Sequence, residues 1–141
     1  MMIASRANTP EDPAIPTRPG WEGMHVWWLI DRQHGGSRHA LFNLTVFPPS
    51  KSHEVHRHPA AEEFLFVLEG SGLHLSERDP VPLAAGEVAY IPTGEWHGFA
   101  NDGDTPTTVV TILAGISSYE DAGYEVLPEQ GNGRDDPAGG R

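Results

Sequence analysis

Sixteen glycines and thirteen prolines punctuate this chain of 141 residues, and their placement excludes most folds built on long helices. Proline removes a backbone donor and glycine is costly in a helix interior. A chain broken this often favours short strands joined by turns. The apolar runs between the breaks are rich in β-branched and aromatic residues. They are Val26 to Ile30, Ala40 to Phe47, Phe64 to Leu68, Leu73 to Leu75, Val88 to Ile91 and Val109 to Leu113. Turn signals separate them at Gly35-Gly36, Pro48-Pro49, Gly70-Ser71-Gly72, Pro80, Gly86, Pro92-Thr93-Gly94 and Gly103. This spacing predicts an all-β sandwich or barrel of antiparallel strands. Only Ser117 to Leu127 has weakly helical character, interrupted by Gly123, so one short helix is expected after the last strand.

The body, residues 21–127, is long enough for one core. Residues 1–20, with prolines at 10, 13, 16 and 19, read as an extended or disordered arm. Residues 128–141, rich in glycine and proline, read as a disordered tail. No stretch approaches the roughly 18 consecutive apolar residues of a membrane span. Met1-Met2-Ile3-Ala4-Ser5-Arg6 lacks the apolar centre of a signal peptide, so the expected location is the cytoplasm. Nine basic residues against twenty acidic ones leave a net charge of −11. Phosphate backbones and anionic membranes both call for clustered Lys and Arg, so neither nucleic acid nor membrane is an expected partner. Cysteine is absent. That removes disulfides, thiolate catalysis, iron–sulfur clusters and Cys-type zinc sites. A metal would have to be held by His, Asp, Glu or neutral oxygens, and the eight histidines nearly equal Lys plus Arg.

Histidine is densest in His53-Glu54-Val55-His56-Arg57-His58, followed by Glu62-Glu63. Side chains alternate faces along a strand, so His56 and His58 project to one side and can occupy adjacent positions on one metal. A carboxylate can join from the next strand after a turn at Pro59-Ala60-Ala61. Such pairs also occur on solvated surfaces. Downstream, a strand from Gly86 enters the Pro92-Thr93-Gly94 turn, and His97 lies three residues after Gly94. A turn fixed by proline and glycine re-aims the chain, and His97 can then face the first pair.

Together the two segments resemble the cupin superfamily. Its first motif, G-x5-H-x-H-x(3,4)-E-x6-G, is matched by His56, His58, Glu63 and Gly70, with Ser50 at the leading glycine. Glu62 satisfies the shorter spacing, but only Glu63 has Gly70 seven positions on. The second motif, G-x5-P-x-G-x2-H-x3-N, is matched by Gly86, Pro92, Gly94, His97 and Asn101. The resemblance implies a small jelly-roll cupin β-barrel, with His56, His58, Glu63 and His97 turned into its mouth as ligands of one metal ion. Three imidazoles and one carboxylate suit a divalent first-row ion such as Fe, Mn, Ni, Cu or Zn, and not calcium or magnesium.

Cupins include oxygenases, isomerases, decarboxylases, cyclases, sensors and storage proteins. The resemblance therefore leaves function open. The first reading is a metal-dependent enzyme, a dioxygenase acting on a small organic molecule, with Glu63 a ligand that can loosen to act as a base. The alternatives are redox-free cyclisation, isomerisation or decarboxylation, and a metal-dependent small-ligand-binding module without turnover. Tyr90, Trp96 and Phe99 are candidates for residues around the metal ligands. By strict alternation His53 and Arg57 face outward, and Glu62 is solvated. Phe64 and Phe66 fall opposite Glu63, Leu65 and Val67. That apolar outer face calls for cover by the arm, the helix or a second subunit, and a homodimer is expected.

Overall fold

The computed structural model describes residues 1–128. In chain order the strands are β1 (His25–Ile30), β2 (Ala40–Phe47), β3 (Ser52–Arg57), β4 (Glu62–Glu69), β5 (Ser71–Leu75), β6 (Val81–Ala84), β7 (Val88–Ile91), β8 (His97–Ala100), β9 (Thr107–Ala114) and β10 (Glu125–Val126). Among the described residues one α-helix, α1 (Tyr119–Ala122), precedes β10. The strands form two five-stranded antiparallel sheets, ordered β1-β2-β9-β4-β7 and β10-β3-β8-β5-β6. This is a jelly roll, and every apolar run singled out in the sequence lies in a strand.

Period-2 alternation sets the two faces of the first sheet. Along β4, Glu63, Leu65 and Val67 are buried while Phe64 and Phe66 are half-buried on the other face. The register places Leu41, Leu113, Glu63 and Ile91 in one row across the sheet. Asn43, Thr111, Leu65 and Ala89 form the adjacent row. Val26, Phe47, Leu65, Val67, Ile91, Phe99 and Val109 fill the space between the sheets. Burying each large apolar side chain contributes on the order of 1.5–3 kcal/mol.

Two segments depart from expectation. The arm is docked: Ile15, in a 3-10 turn over Ile15–Thr17, is 1% exposed and belongs to the core. Asp12 donates its N–H to the Val26 carbonyl (2.9 Å) and accepts from Trp28 Nε1 (2.9 Å). The core thus begins before residue 21. An arm anchored by a few residues shows no periodicity to read. The helix shrinks to four residues. Ser118 caps its start by accepting from Asp121 N, and Gly123, at φ 73°, turns the chain out of it so that β10 can join β3. Of the tail, residues 129–141 lie outside the described residues.

Candidate metal centre

The site is built where β3, β4 and β8 face one another at one end of the barrel. His56 and His97 are directly opposed in the β3–β8 pair. Gly94 donates its N–H to the His58 carbonyl (3.0 Å), which ties the Pro92-Thr93-Gly94 turn to the strand end that carries His58. Glu63 comes from β4 in the other sheet. All four side chains are buried, none more than 5% exposed.

Each imidazole is oriented by a backbone carbonyl. His56 Nδ1 donates to Glu54 O (2.7 Å), His58 Nδ1 to Gly123 O (2.7 Å) and His97 Nδ1 to Glu95 O (2.9 Å). A carbonyl only accepts, so each Nδ1 carries a proton and each Nε2 is left for the centre of the cluster. Glu63 Oε2 lies 2.6 Å from His97 Nε2 and 3.3 Å from His58 Nε2. One atom from each of the four residues falls within 4.8 Å of the others. Ligand bonds of about 2.0–2.2 Å need little contraction from that spacing, so the donor set and its geometry fit a divalent transition ion.

The charges fit as well. Burial disfavours ionisation of Glu63, but the neighbouring His97 and His58 outweigh it and hold its carboxyl well below the usual range. Burial tends to lower the His97 pKa, yet Glu63 raises it above its ordinary value. His56, desolvated and facing His97, is pushed down to about 3. The cluster contains one paired charge and a neutral imidazole ready to coordinate.

The sequence profile of the cupin domain matches residues 43–113, half of the chain. The chain belongs to the cupin family. A curated relative, the oxalate-binding protein of Thermotoga maritima, is 27% identical over 80% of this cupin and 93% of its own length. Protein SchB of Streptomyces halstedii is 29% identical over 72% of this chain and 74% of its own. Among solved structures, the polyketide cyclase RemF of Streptomyces resistomycificus superposes with a TM-score of 0.75 at 22% identity, covering 90% of this chain and 85% of that one. A predicted oxalate decarboxylase of Thermotoga maritima gives 0.71 at 23% identity, over 82% of this chain and all of that one. At those identities the structural likeness concerns the fold.

Other residues of this cupin sit differently from their expected places. His53 does not face outward. It lines the cavity, its ring 4.2 Å from that of His56 and 4.0 Å from Trp21. The cause is a β-bulge: three steps from His53 to His56 oppose only two from Phe99 to His97. An extra residue reverses the alternation between them. The bulged carbonyls press on Gly98, where a Cβ would stand 2.8 Å from His53 O. Burial and the three neighbouring histidines keep His53 neutral.

Tyr90 and Trp96 lie outside the cavity, and Phe99 lines it. Tyr90 pairs across strands with outward Phe64 and donates to Glu62 (2.7 Å), while Arg57 stacks on Trp96 at 4.5 Å. The aromatic cap comes instead from Trp21, Tyr119 and Tyr124, which meet one another, the two tyrosines also meeting His58. Tyr124 also stacks on His56 at 4.8 Å, accepts from His53 Nε2 and donates to Glu54. No motif marks these three aromatics. The one local signal was in β2, where polar Asn43 and Thr45 hold inward positions between Leu41 and Phe47.

Proposed function

We propose that this cupin is a metal-dependent enzyme on a small organic molecule, with His56, His58, Glu63 and His97 holding one divalent first-row ion. The observation that carries the reading is the convergence of four buried ligand atoms, three with their second nitrogen fixed by a backbone carbonyl. Such an ion supplies Lewis acidity toward a ligand oxygen and, where it is iron or copper, one-electron chemistry. The chain's own residues do the rest. Met24, Phe47, Leu65, Phe99 and Leu113 keep bulk water from the cavity. Glu63 would be the group that takes a proton from a substrate carbon or hydroxyl if its carboxylate were free of the ion.

The dioxygenase reading requires a redox-active ion. Redox-free decarboxylation or cyclisation is the second reading, favoured by relatives named for a predicted oxalate decarboxylase and a polyketide cyclase. Elemental analysis of protein purified without added metal, followed by an oxygen-uptake screen, separates them. Iron or copper with uptake supports the first. Zinc or nickel with product and no uptake supports the second. Tight ligand binding without product would leave a binding module, in line with the relative named as oxalate-binding.

The proposed assembly is a homodimer through the outer face of the β1-β2-β9-β4-β7 sheet. Phe64 packs there against Tyr90 at 5.2 Å, and Leu68, Val88 and Tyr90 are each more than half exposed. The arm reaches the β1 end of that sheet, where Arg6 lies over Trp27 at 4.2 Å. The short helix packs instead with Leu41, Ala61, Leu113 and Ile116.

A further inference from the structure

Metal binding accounts for His56, His58, Glu63 and His97 but not for Glu54, which stands two positions before His56. Glu54 is nevertheless held on several sides. Its Oε1 accepts from the Tyr124 hydroxyl (2.7 Å), and its N–H donates to Gly20 O (3.1 Å). The carboxylate lies directly against Gly20. A Cβ at position 20 would stand 2.0 Å from the carboxylate carbon, so this close approach requires glycine there. The backbone needs it too, since Gly20 has φ 82°. Contact with Gly98 closes the other side, where a Cβ would stand 3.1 Å from Glu54 O.

The main chain of Glu54 bears on the metal centre. Its carbonyl oxygen is the acceptor for His56 Nδ1 (2.7 Å), the bond that fixes the tautomer and ring direction of that ligand. Tyr124 acts on the same imidazole directly, stacking on it at 4.8 Å with 22° between the planes. The register of β3 on β8 passes from His53 to His56 with neither Glu54 nor Val55 paired to β8. A bulge leaves its extra residue outside the ladder, so contacts from elsewhere must hold the Glu54 carbonyl in place. They come from both ends of the described chain, Gly20 in the arm and Tyr124 just after α1.

Resting on the metal-centre reading, we propose that Glu54 and Tyr124 are positioning residues for His56: the Tyr124 hydroxyl clamps the Glu54 side chain against Gly20, and the carbonyl so held aims the imidazole at the ion. Neither residue belongs to the group of ligand atoms. The clamp makes the grip of a ligand on β3 depend on the docking of the arm and of the segment after α1.

The test is a double-mutant cycle on zinc affinity, read by competition with a chromophoric chelator at neutral pH. Tyr124→Phe keeps the ring and loses the hydroxyl. Glu54→Ala keeps the carbonyl and loses the carboxylate. Each is expected to weaken zinc binding about tenfold or more. The two together should weaken it no more than either alone, because both remove one clamp. Glu54→Gln, whose amide oxygen still accepts from the hydroxyl, is expected to bind zinc nearly as wild type does. The visible spectrum of cobalt-loaded protein should shift in Tyr124→Phe and Glu54→Ala and return in Glu54→Gln, a pattern that lowered stability alone does not produce. Should Glu54→Ala fail to fold, the milder Tyr124→Phe and Glu54→Gln still decide the matter. Wild-type affinity in Tyr124→Phe, additive losses in the pair, or a large loss in Glu54→Gln would each overturn the clamp. Failure of wild type to take up zinc, read by elemental analysis, would instead overturn the metal-centre reading on which the clamp rests.

Discussion

His97 Nε2 stands 2.6 Å from Glu63 Oε2, while the Nδ1 of the same ring donates to Glu95 O at 2.9 Å. A ring donating from both nitrogens is an imidazolium, and its partner is a carboxylate. An ion bound by both residues takes the place of the shared proton. Metal uptake is therefore expected to release up to one proton per site at pH values below the raised folded pKa of His97. Calorimetry in buffers of different ionisation enthalpy measures that number, and a value of zero would contradict the pairing.

Stability of the metal-free protein should peak near pH 6.5. Below it, the unfolded chain protonates His56 while the folded chain, with His56 down at about 3, does not. Stability then falls with acidification at up to about 1.4 kcal/mol per pH unit for this group. The lowered pKa of Glu63 adds a loss at still lower pH, as its carboxylate is finally protonated. Above 6.5, the raised pKa of His97 acts in the opposite direction, and the stability it lends is lost as pH rises through its folded value. Urea midpoints across pH 4–9 check the shape, and the alkaline decline should vanish when metal replaces the proton.

Removing the metal is expected to lower stability without unfolding the barrel, because the core of Val26, Phe47, Val67, Phe99 and Val109 does not depend on it. Free ion at a hundred times its dissociation constant adds about 2.7 kcal/mol. His97→Ala should lose metal affinity and keep its strand signal in circular dichroism. A random-coil spectrum after chelation would refute this.

Ser50 has φ 65° in a turn closed by Lys51 N to Pro48 O, the arrangement of a type II turn. That region is strained for L-residues and free for glycine. Ser50→Gly, which restores the glycine of the first cupin motif, is expected to stabilise by up to about 1 kcal/mol. Denaturant midpoints would show it.

Light scattering at micromolar protein is expected to give about twice 15.3 kDa. Phe66→Glu, on the outer face and away from the cavity, should give the single-chain mass with metal content unchanged. A wild-type mass near that of one chain would defeat the dimer.

Much of the fold was legible because alternation and turn chemistry are local. Ala40 to Phe47 and Val88 to Ile91 were bounded to the residue, and Glu63 was separated from Glu62 by its distance to Gly70. His53 was misplaced because alternation assumes a regular strand. The extra residue before His56 depends on Gly98 in a neighbouring strand. Tyr90 was misplaced for a related reason: its face is set by its partner Phe64, not by its closeness to the motif. Trp21, Tyr119 and Tyr124 meet only when the two ends of the chain fold over one mouth, a contact that no local pattern encodes.

The bond from His58 Nδ1 to Gly123 O carries a further consequence. Gly123 belongs to the segment that covers the mouth, so any movement that uncovers the site also strips His58 of the acceptor that sharpens its Nε2 as a donor. Grip and closure are then one thermodynamic variable. Whatever tightened the hold on a bound ion would favour the shut mouth, and reciprocally an open mouth would hold the ion more loosely.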